Sequence, residues 1–455
     1  MNKPKEDLEK VKFNSKRLEK RLLTTVENLT NDVGASILEA SGSRGQAKAV
    51  YRMLSNEKFS REEIQRVYAE STLKRIAENS TVLLIQDSTE INLNTHKKTK
   101  KLGYIDKYDL GIKVHTCIAI TEEGAILGIL SQKTSTRPQD ADKSQNRDAK
   151  KLRAIEEKES HRWVETFSET NKSIPDSVNA VTVCDREGDF YELYASAIAQ
   201  ERKILIRLIH NRRISEDTKK AMDYLRDTPS CGTVIIELPR DTRKGEKPRK
   251  ATLEVSHTPL TFKCPKIRKE SHLPKEITVN GLRIIEKDPP TDAESIEWFL
   301  ATNETVNSFE DTLKMVKYYV QRWKIERYHY VLKEGCNVEK LQERTLERME
   351  SMICIFSIIA IYIMALTYLA RINHNVKCDV LLEESEWKIL YCAANSVKDA
   401  PNEPYTVKEA VSYLAKLGGF AGAPSDGTPG VKVIWHGIQK LHTLMQYHDF
   451  MPSNL

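Results

Sequence analysis

The run from Ser351 to Ala370, SMICIFSIIAIYIMALTYLA, carries no charge over 20 residues. It limits the fold more than any other segment. A helix apolar on every side must lie in a bilayer, which takes about 20 residues to cross, or at the centre of a large core. The run stands alone, with basic residues on both flanks (Arg344, Arg348 and Arg371). No targeting signal precedes it, since the chain opens MNKPKEDLEKVK. These features favour a core helix and no membrane partner. A chain of 455 residues has room for that core and for two or three domains. With 40% hydrophobic and 30% charged residues, fibrous and disordered classes are excluded.

Charge decides little at the level of the whole chain. The 71 Lys+Arg against 65 Asp+Glu leave only +6, so a nucleic-acid partner has to come from local basic clusters. The eight cysteines show no C-x-x-C pair and no metal-finger spacing. Reduced thiols in a cytoplasmic protein are expected, and a structural zinc site is not.

Residues 1–78 read as a helical module. Leu18, Leu22, Val26 and Leu29 recur at helical spacing after Asn14-Ser15, followed by Ala47, Val50, Tyr51 and Leu54. Ser60-Arg61-Glu62-Glu63 has the form of a capping box opening a third helix. Lys16, Arg17, Lys20, Arg21, Arg44, Lys48 and Arg52 decorate these helices. From Val82 the period shortens. Val82–Ile85 reads as a short strand ending at Asp87, with further strands at Ile112–Ile120 and Ala125–Gln132. A charged helical stretch follows from about Ala141 to Thr170, then a strand, Ala180–Cys184, ending at Asp185. Residues 202–305 are rich in strand patterns and hold a basic loop, Arg240–Lys250, with six basic residues in eleven positions. That loop is a candidate arm for nucleic-acid backbone. From Asn307 the chain reads as helical.

Two apolar strands that each end in Asp, at 87 and 185, are a better signal than either alone, because ligands collect at the carboxyl ends of strands in open α/β sheets. A third acid lies in DTLKMVKYYVQRWKIERYHYVLKEG, where Tyr319, Arg322, Glu326 and Lys333 sit at offsets 0, 3, 7 and 14. At about 100° per residue these fall within roughly 60° of one helix face. An Arg322–Glu326 surface ion pair accounts for two of the four, worth a few tenths of a kcal/mol, but not for Tyr319 or Lys333. Three carboxylates converging from two strands and a helix suit two Mg²⁺ ions, with Mn²⁺ as a substitute, in phosphoryl transfer. Arg322 and Lys333 would then grip phosphates.

The spacing Tyr319-x2-Arg322-x3-Glu326-x6-Lys333 resembles the signature helix of the insertion-sequence-4 transposases of the transposon-5 type. Ile85-Gln86-Asp87-Ser88-Thr89 is similar to the segment carrying that family's first catalytic Asp, and Cys184-Asp185-Arg186-Glu187-Gly188-Asp189 to the second. FNSKRLEKRL and AKAVYRMLSNEKFS look like its DNA-end-binding module, and YLAKLGGFAGAPSDGTPGVKVIWHGIQKL like its closing helical region. The resemblance implies an α/β fold: an RNase-H-like catalytic domain over 79–372 with a β-rich insertion at about 212–295, a helical DNA-end-binding domain over 1–78, and a helical C-terminal region over 373–455 with a dimerisation role. It implies a cut-and-paste DNA transposase that cleaves transposon ends through a hairpin and joins them to target DNA. Asp87, Asp185 and Glu326 would be the catalytic, metal-holding carboxylates of a two-ion site. Tyr319, Arg322 and Lys333 would contact the transposon end, with Arg207 and Arg212 as further DNA contacts. Trp298 sits where the family places an aromatic that stacks on a flipped base; a core tryptophan reads equally well. Partners would be double-stranded inverted-repeat ends, target DNA and a second copy in a dimeric synaptic complex, in a bacterial cytoplasm at the nucleoid. The alternatives are a metal-dependent nuclease of the same fold and a decayed, DNA-binding repressor.

Overall fold

The computed structural model describes residues 3–138, 155, 158–238, 249–266, 272–290, 295–372, 375–423 and 427–450, with side chains to 447 in the last span. The chain divides into two compact units. The terminal unit comprises Met1–Asn79, Ser88–Ala141 and Lys324–Leu455; the mid-chain unit comprises Ser80–Asp87 and Asp142–Trp323.

In the terminal unit the N-terminal module forms helices α1 (Lys16–Asn31), α2 (Arg44–Leu54) and α3 (Arg61–Ile76). The 3.6-residue stripe becomes the buried face: Leu22, Val26 and Leu29 of α1 and Ala47 and Val50 of α2 are buried. The Ser60 side chain accepts the Glu63 N–H at 3.0 Å, capping α3. Only this half of the expected box is built in that way, because the Glu63 carboxylate accepts the Lys12 N–H at 3.3 Å and binds Arg66. Strand β1 (Thr81–Asn92) is shared between the units, its residues from Ser88 belonging here. The hairpin of β2 (Gly111–Thr121) and β3 (Ile126–Ser135) gives the order β3-β2-β1. Strand β1 is longer than the apolar stretch that announces it. Asp87 lies inside it rather than at its end, because β1 keeps a partner here after its pairing in the other unit stops.

The mid-chain unit carries β1 to Asp87, β4 (Asn179–Cys184), β5 (Lys203–Arg207), β6 (Gly232–Leu238), β7 (Arg249–Lys263), β8 (Glu276–Glu286) and β9 (Glu297–Thr302), in the order β1-β4-β5-β9-β8-β7-β6. The first three are parallel and the others antiparallel, so the sheet is mixed. Helix α4 (His161–Ser173) and helix α5 (Tyr191–Ala199) supply Trp163, Phe167, Tyr191 and Tyr194 to its core. The expected helical stretch at 141–170 is described here only from residue 158, apart from residue 155. Of the basic loop, residues 239–248 lie outside the described residues.

The unit ends with α6 (Phe309–Gln321), and α7 (Trp323–Tyr330) leads back into the terminal unit. Helix α6 starts on a complete capping box between Ser308 and Asp311. Arg322 keeps helical dihedrals (φ −54°, ψ −31°) between the two helices. Residues Val331–Gly335 then widen into a π-turn. The ideal 100° step therefore fails before Lys333, and the four-residue stripe is not one straight α-helical face. Helix α8 (Leu346–Ile372) contains the charge-free run. Of its most apolar window, 89% is buried inside the protein. Its later turns pack with α9 (Glu384–Asn395), α10 (Val407–Leu417) and α11 (Val431–Phe450) through Tyr362, Leu366, Leu390, Leu414 and Ile434.

Candidate functional site

Parallel pairing of β1 with β4 runs from Thr81↔Asn179 to Gln86↔Cys184. The next residue on each strand is an acid, so Asp87 and Asp185 leave the ladder as neighbours, about one strand spacing (roughly 5 Å) apart. Each is held differently. Asp87 is buried, and an oxygen lies 3.5 Å from the Arg322 guanidinium. Asp185 opens the 3₁₀ turn Arg186–Gly188, where its carboxylate accepts the Glu187 N–H at 2.8 Å. Gly188 is required there, since a Cβ would come within 2.6 Å of the Cys184 Cβ.

Around these acids the mid-chain unit gathers a cationic, aromatic cluster. The Tyr319 ring, 3% exposed, stands edge-on to Trp298 with centroids 5.3 Å apart. Arg322 lies over the Tyr319 ring at 5.8 Å, and Arg207 over the Trp298 ring at 5.9 Å. Arg207 also hydrogen-bonds Tyr319. Burial holds the Tyr319 hydroxyl above its usual range; the two arginines pull it back and the charge of Asp185 adds to the rise. Burial holds Arg207 below the usual guanidinium range, eased by Tyr319 but aggravated by Arg186 and Arg322. Two arginines drawn partly or wholly out of water, with Arg186 nearby, thus stand beside two acids.

Of the residues singled out in the sequence, the unit thus brings together Asp87, Asp185, Arg322, Tyr319, Arg207 and Trp298. Trp298 is only 8% exposed, which is the core reading of that tryptophan: it packs Tyr319 and Arg207. Arg212 stands apart from the cluster. Its guanidinium pairs with the buried Asp189 and lies beside the edge-to-face pair of Tyr194 and Phe262, 5.6 and 5.7 Å from the two ring centroids. Asp189 also accepts the N–H groups of Ile209 and His210 at 2.7 and 2.8 Å. Sequence reasoning gives Asp189 no role and does not single out Arg186. The signal for Asp189 is a second acid four residues after Asp185. In the terminal unit, Glu326 sits half-buried in the first turn of α7. Lys333 lies 3.9 Å from Glu339, whose carboxylate accepts the Asn92 N–H at 3.0 Å.

Carboxylate oxygens are the donors Mg²⁺ prefers, so the chemistry of Asp87 and Asp185 fits that ion. Among the described residues, however, no three His, Cys, Asp or Glu side chains are grouped so as to hold a metal. The mid-chain unit supplies two carboxylates, one of them facing an arginine.

A family model described as transposase DNA-binding matches residues 4–59, and one described as the transposase Tn5 dimerisation domain matches residues 358–453. These two matches support a transposon-5-type transposase. Both matched segments lie in the terminal unit of this transposase. They support DNA binding through the first segment and dimer formation through the second. The candidate site lies outside both matches. A solved structure described as a piggyBac transposase synaptic complex with hairpin DNA overlays with a TM-score of 0.39 at 12% identity, covering 97% of this chain and 77% of that one. So slight a likeness carries no argument.

Proposed function

We propose that this transposase works by cut and paste: it cleaves transposon ends through a hairpin and joins them to target DNA, with Asp87, Asp185 and Glu326 as catalytic carboxylates of an RNase-H-like core. The observation that carries the reading is the register of β1 on β4, which sets Asp87 next to Asp185, beside buried Arg322 and Tyr319 and half-buried Arg207. The order β3-β2-β1 in one unit, continued as β1-β4-β5 with parallel pairing in the other, supports the RNase-H-like assignment.

Bound Mg²⁺ would supply charge neutralisation and activation of the attacking oxygen. Asp87, Asp185 and Glu326 are the residues that would hold it. Arg322 and Arg207 would take the phosphate on the strand being cut, with the Tyr319 hydroxyl as a further donor. Trp298 would hold Tyr319 and Arg207 at the angle that presents them. Lys333, on the π-turn, would grip the backbone further along. Arg212 has its charge satisfied internally, so its part in this reading is to support the loop after β5.

The test uses the purified chain, duplexes carrying its own flanking ends, and Mg²⁺. The wild type is expected to give nicks, hairpins and joined products on a denaturing gel. Glu326→Gln is expected to bind ends normally while cleavage falls by about a hundredfold or more. Undiminished cleavage by Glu326→Gln would remove Glu326 from the chemistry. End binding without cleavage in the wild type would leave a DNA-binding relic.

A further inference from the structure

Between β1 and β2, the terminal unit carries a loop, residues 93–110, that neither family match covers. It holds Lys97, Lys98, Lys100, Lys101 and Lys107 against only Asp106 and Asp109. All five lysines are exposed, and so is Arg344 on the adjoining segment. Both acids are engaged within the loop. Asp106 accepts the N–H groups of Tyr108 and Asp109 at 2.7 and 2.8 Å, and Asp109 accepts the Asn94 amide at 2.7 Å. Lys101 pairs with Glu347 at 2.6 Å. Lys97, Lys98 and Lys100 form a dense patch with no acid between them.

An ordinary solvated loop needs no mounting, and this one is mounted. Leu93, His96, Thr99 and Leu102 are buried at every third position, with the lysines in between. The His96 imidazole meets the Leu341 carbonyl at 2.7 Å, and the Thr99 hydroxyl donates to the Glu343 carbonyl at 2.8 Å. Lys100 exchanges backbone hydrogen bonds with Arg344 and Leu346 at 2.9 and 3.0 Å. Lys101 takes φ +63°, a left-handed conformation that costs a non-glycine residue free energy. At the far turn, Tyr108 is 74% exposed with the Lys107 ammonium 5.2 Å over its ring. Like charges held this close on a rigid backbone repel, and a polyanion relieves that repulsion.

We infer that this loop is a second DNA site, a rigid lysine platform that grips the backbone of duplex of no fixed sequence. The inference rests on the transposase reading and adds to it the way the protein holds DNA other than its own ends. Lysine ammonium groups are point charges that read phosphates and carry no base information. Such chemistry suits either target DNA or the donor DNA flanking a transposon end, both of which vary in sequence.

The experiment compares the full-length wild type with the triple variant Lys97→Gln, Lys98→Gln, Lys100→Gln, and with the corresponding triple Arg variant. Binding to a random-sequence duplex is followed by anisotropy across a salt series. The Gln variant is expected to bind about tenfold or more weakly near 0.1 M salt. Its log K against log salt slope is expected to fall by about 0.9 for each phosphate that is no longer neutralised. The Arg variant is expected to keep wild-type affinity. Reduced joining of precut ends with intact cutting would assign the platform to target DNA; slowed cutting of flanked ends with intact joining of precut ends would assign it to flanking DNA. Unchanged affinity and slope in a folded Gln variant would overturn the platform while leaving end binding and cutting, and with them the transposase reading, untouched. Conversely, a wild type that grips random duplex in a lysine-dependent way but never cuts its ends would overturn that reading and keep the platform.

Discussion

Two aspartate–arginine pairs in the mid-chain unit are built to different standards. Asp189 with Arg212 is saturated: the carboxylate takes two backbone N–H groups besides the guanidinium, which also packs beside two aromatic rings. Asp87 with Arg322 sits at 3.5 Å, beyond the 2.7–2.9 Å of a tight charge-assisted hydrogen bond. Both are buried. A saturated pair fixes backbone, because exchanging either partner strands a charge in a medium of low dielectric. In the proposed function the pair beside a second acid and further cations exchanges, the guanidinium for a phosphate and the carboxylate for a cation. On that reading the first pair is scaffold and the second is the site.

The contrast breaks most sharply through Arg212. Arg212→Ala leaves Asp189 charged and buried, and a loss of about 3–5 kcal/mol in unfolding free energy is expected from urea titration. A loss near zero would mean that Asp189 needs no counter-ion.

A third pair, in the terminal unit, extends the contrast to pH. Glu343 is 4% exposed, 3.0 Å from Arg348, and burial pushes its carboxyl up to about 7 against the pull of that arginine. Its value when folded lies above the usual 4.5. The stability it contributes is therefore full below about pH 4.5 and is lost as pH rises through about 7. The loss is on the order of 3 kcal/mol. Glu343→Gln is expected to remove that part of the pH dependence in urea curves taken at a series of pH values. Parallel curves for the two proteins would show that Arg348 keeps Glu343 ionised throughout.

The smallest effect on stability is expected at the looser pair. Arg322→Gln should cost about 1–3 kcal/mol, and millimolar Mg²⁺ should restore much of it by occupying the vacated acids, as seen in the melting temperature without DNA. The same Mg²⁺ should not rescue Arg212→Ala. Rescue of both or of neither would erase the distinction between scaffold and site.

Much of this organisation is legible in the sequence. The helical stripe of Leu22, Val26 and Leu29, the β-rich stretch after 202 and the core role of the charge-free run all follow from periodicity and composition, which act over a few residues. Asp87 and Asp185 can be picked out because each follows an apolar run. Arg212 cannot be separated from Arg207 in this way, since both are arginines near the end of β5. Only Asp189, Tyr194 and Phe262 distinguish them, and Phe262 is 50 residues further along the chain. The lysine loop looks like any charged segment until its buried anchors meet residues 341–346.

Local pattern determined the elements: where strands and helices begin, which faces turn inward, and which acids and cations are available near which ends. Those features depend on backbone sterics and on apolar spacing along one segment, and both are written in neighbouring residues. Tertiary structure decided the rest: that β1 runs on past Asp87, that helix geometry widens before Lys333, that Trp298 is covered, and which arginine answers which acid. Each depends on a partner distant in sequence, and the free energy of burying a charge is set by that partner and not by the residue that carries it.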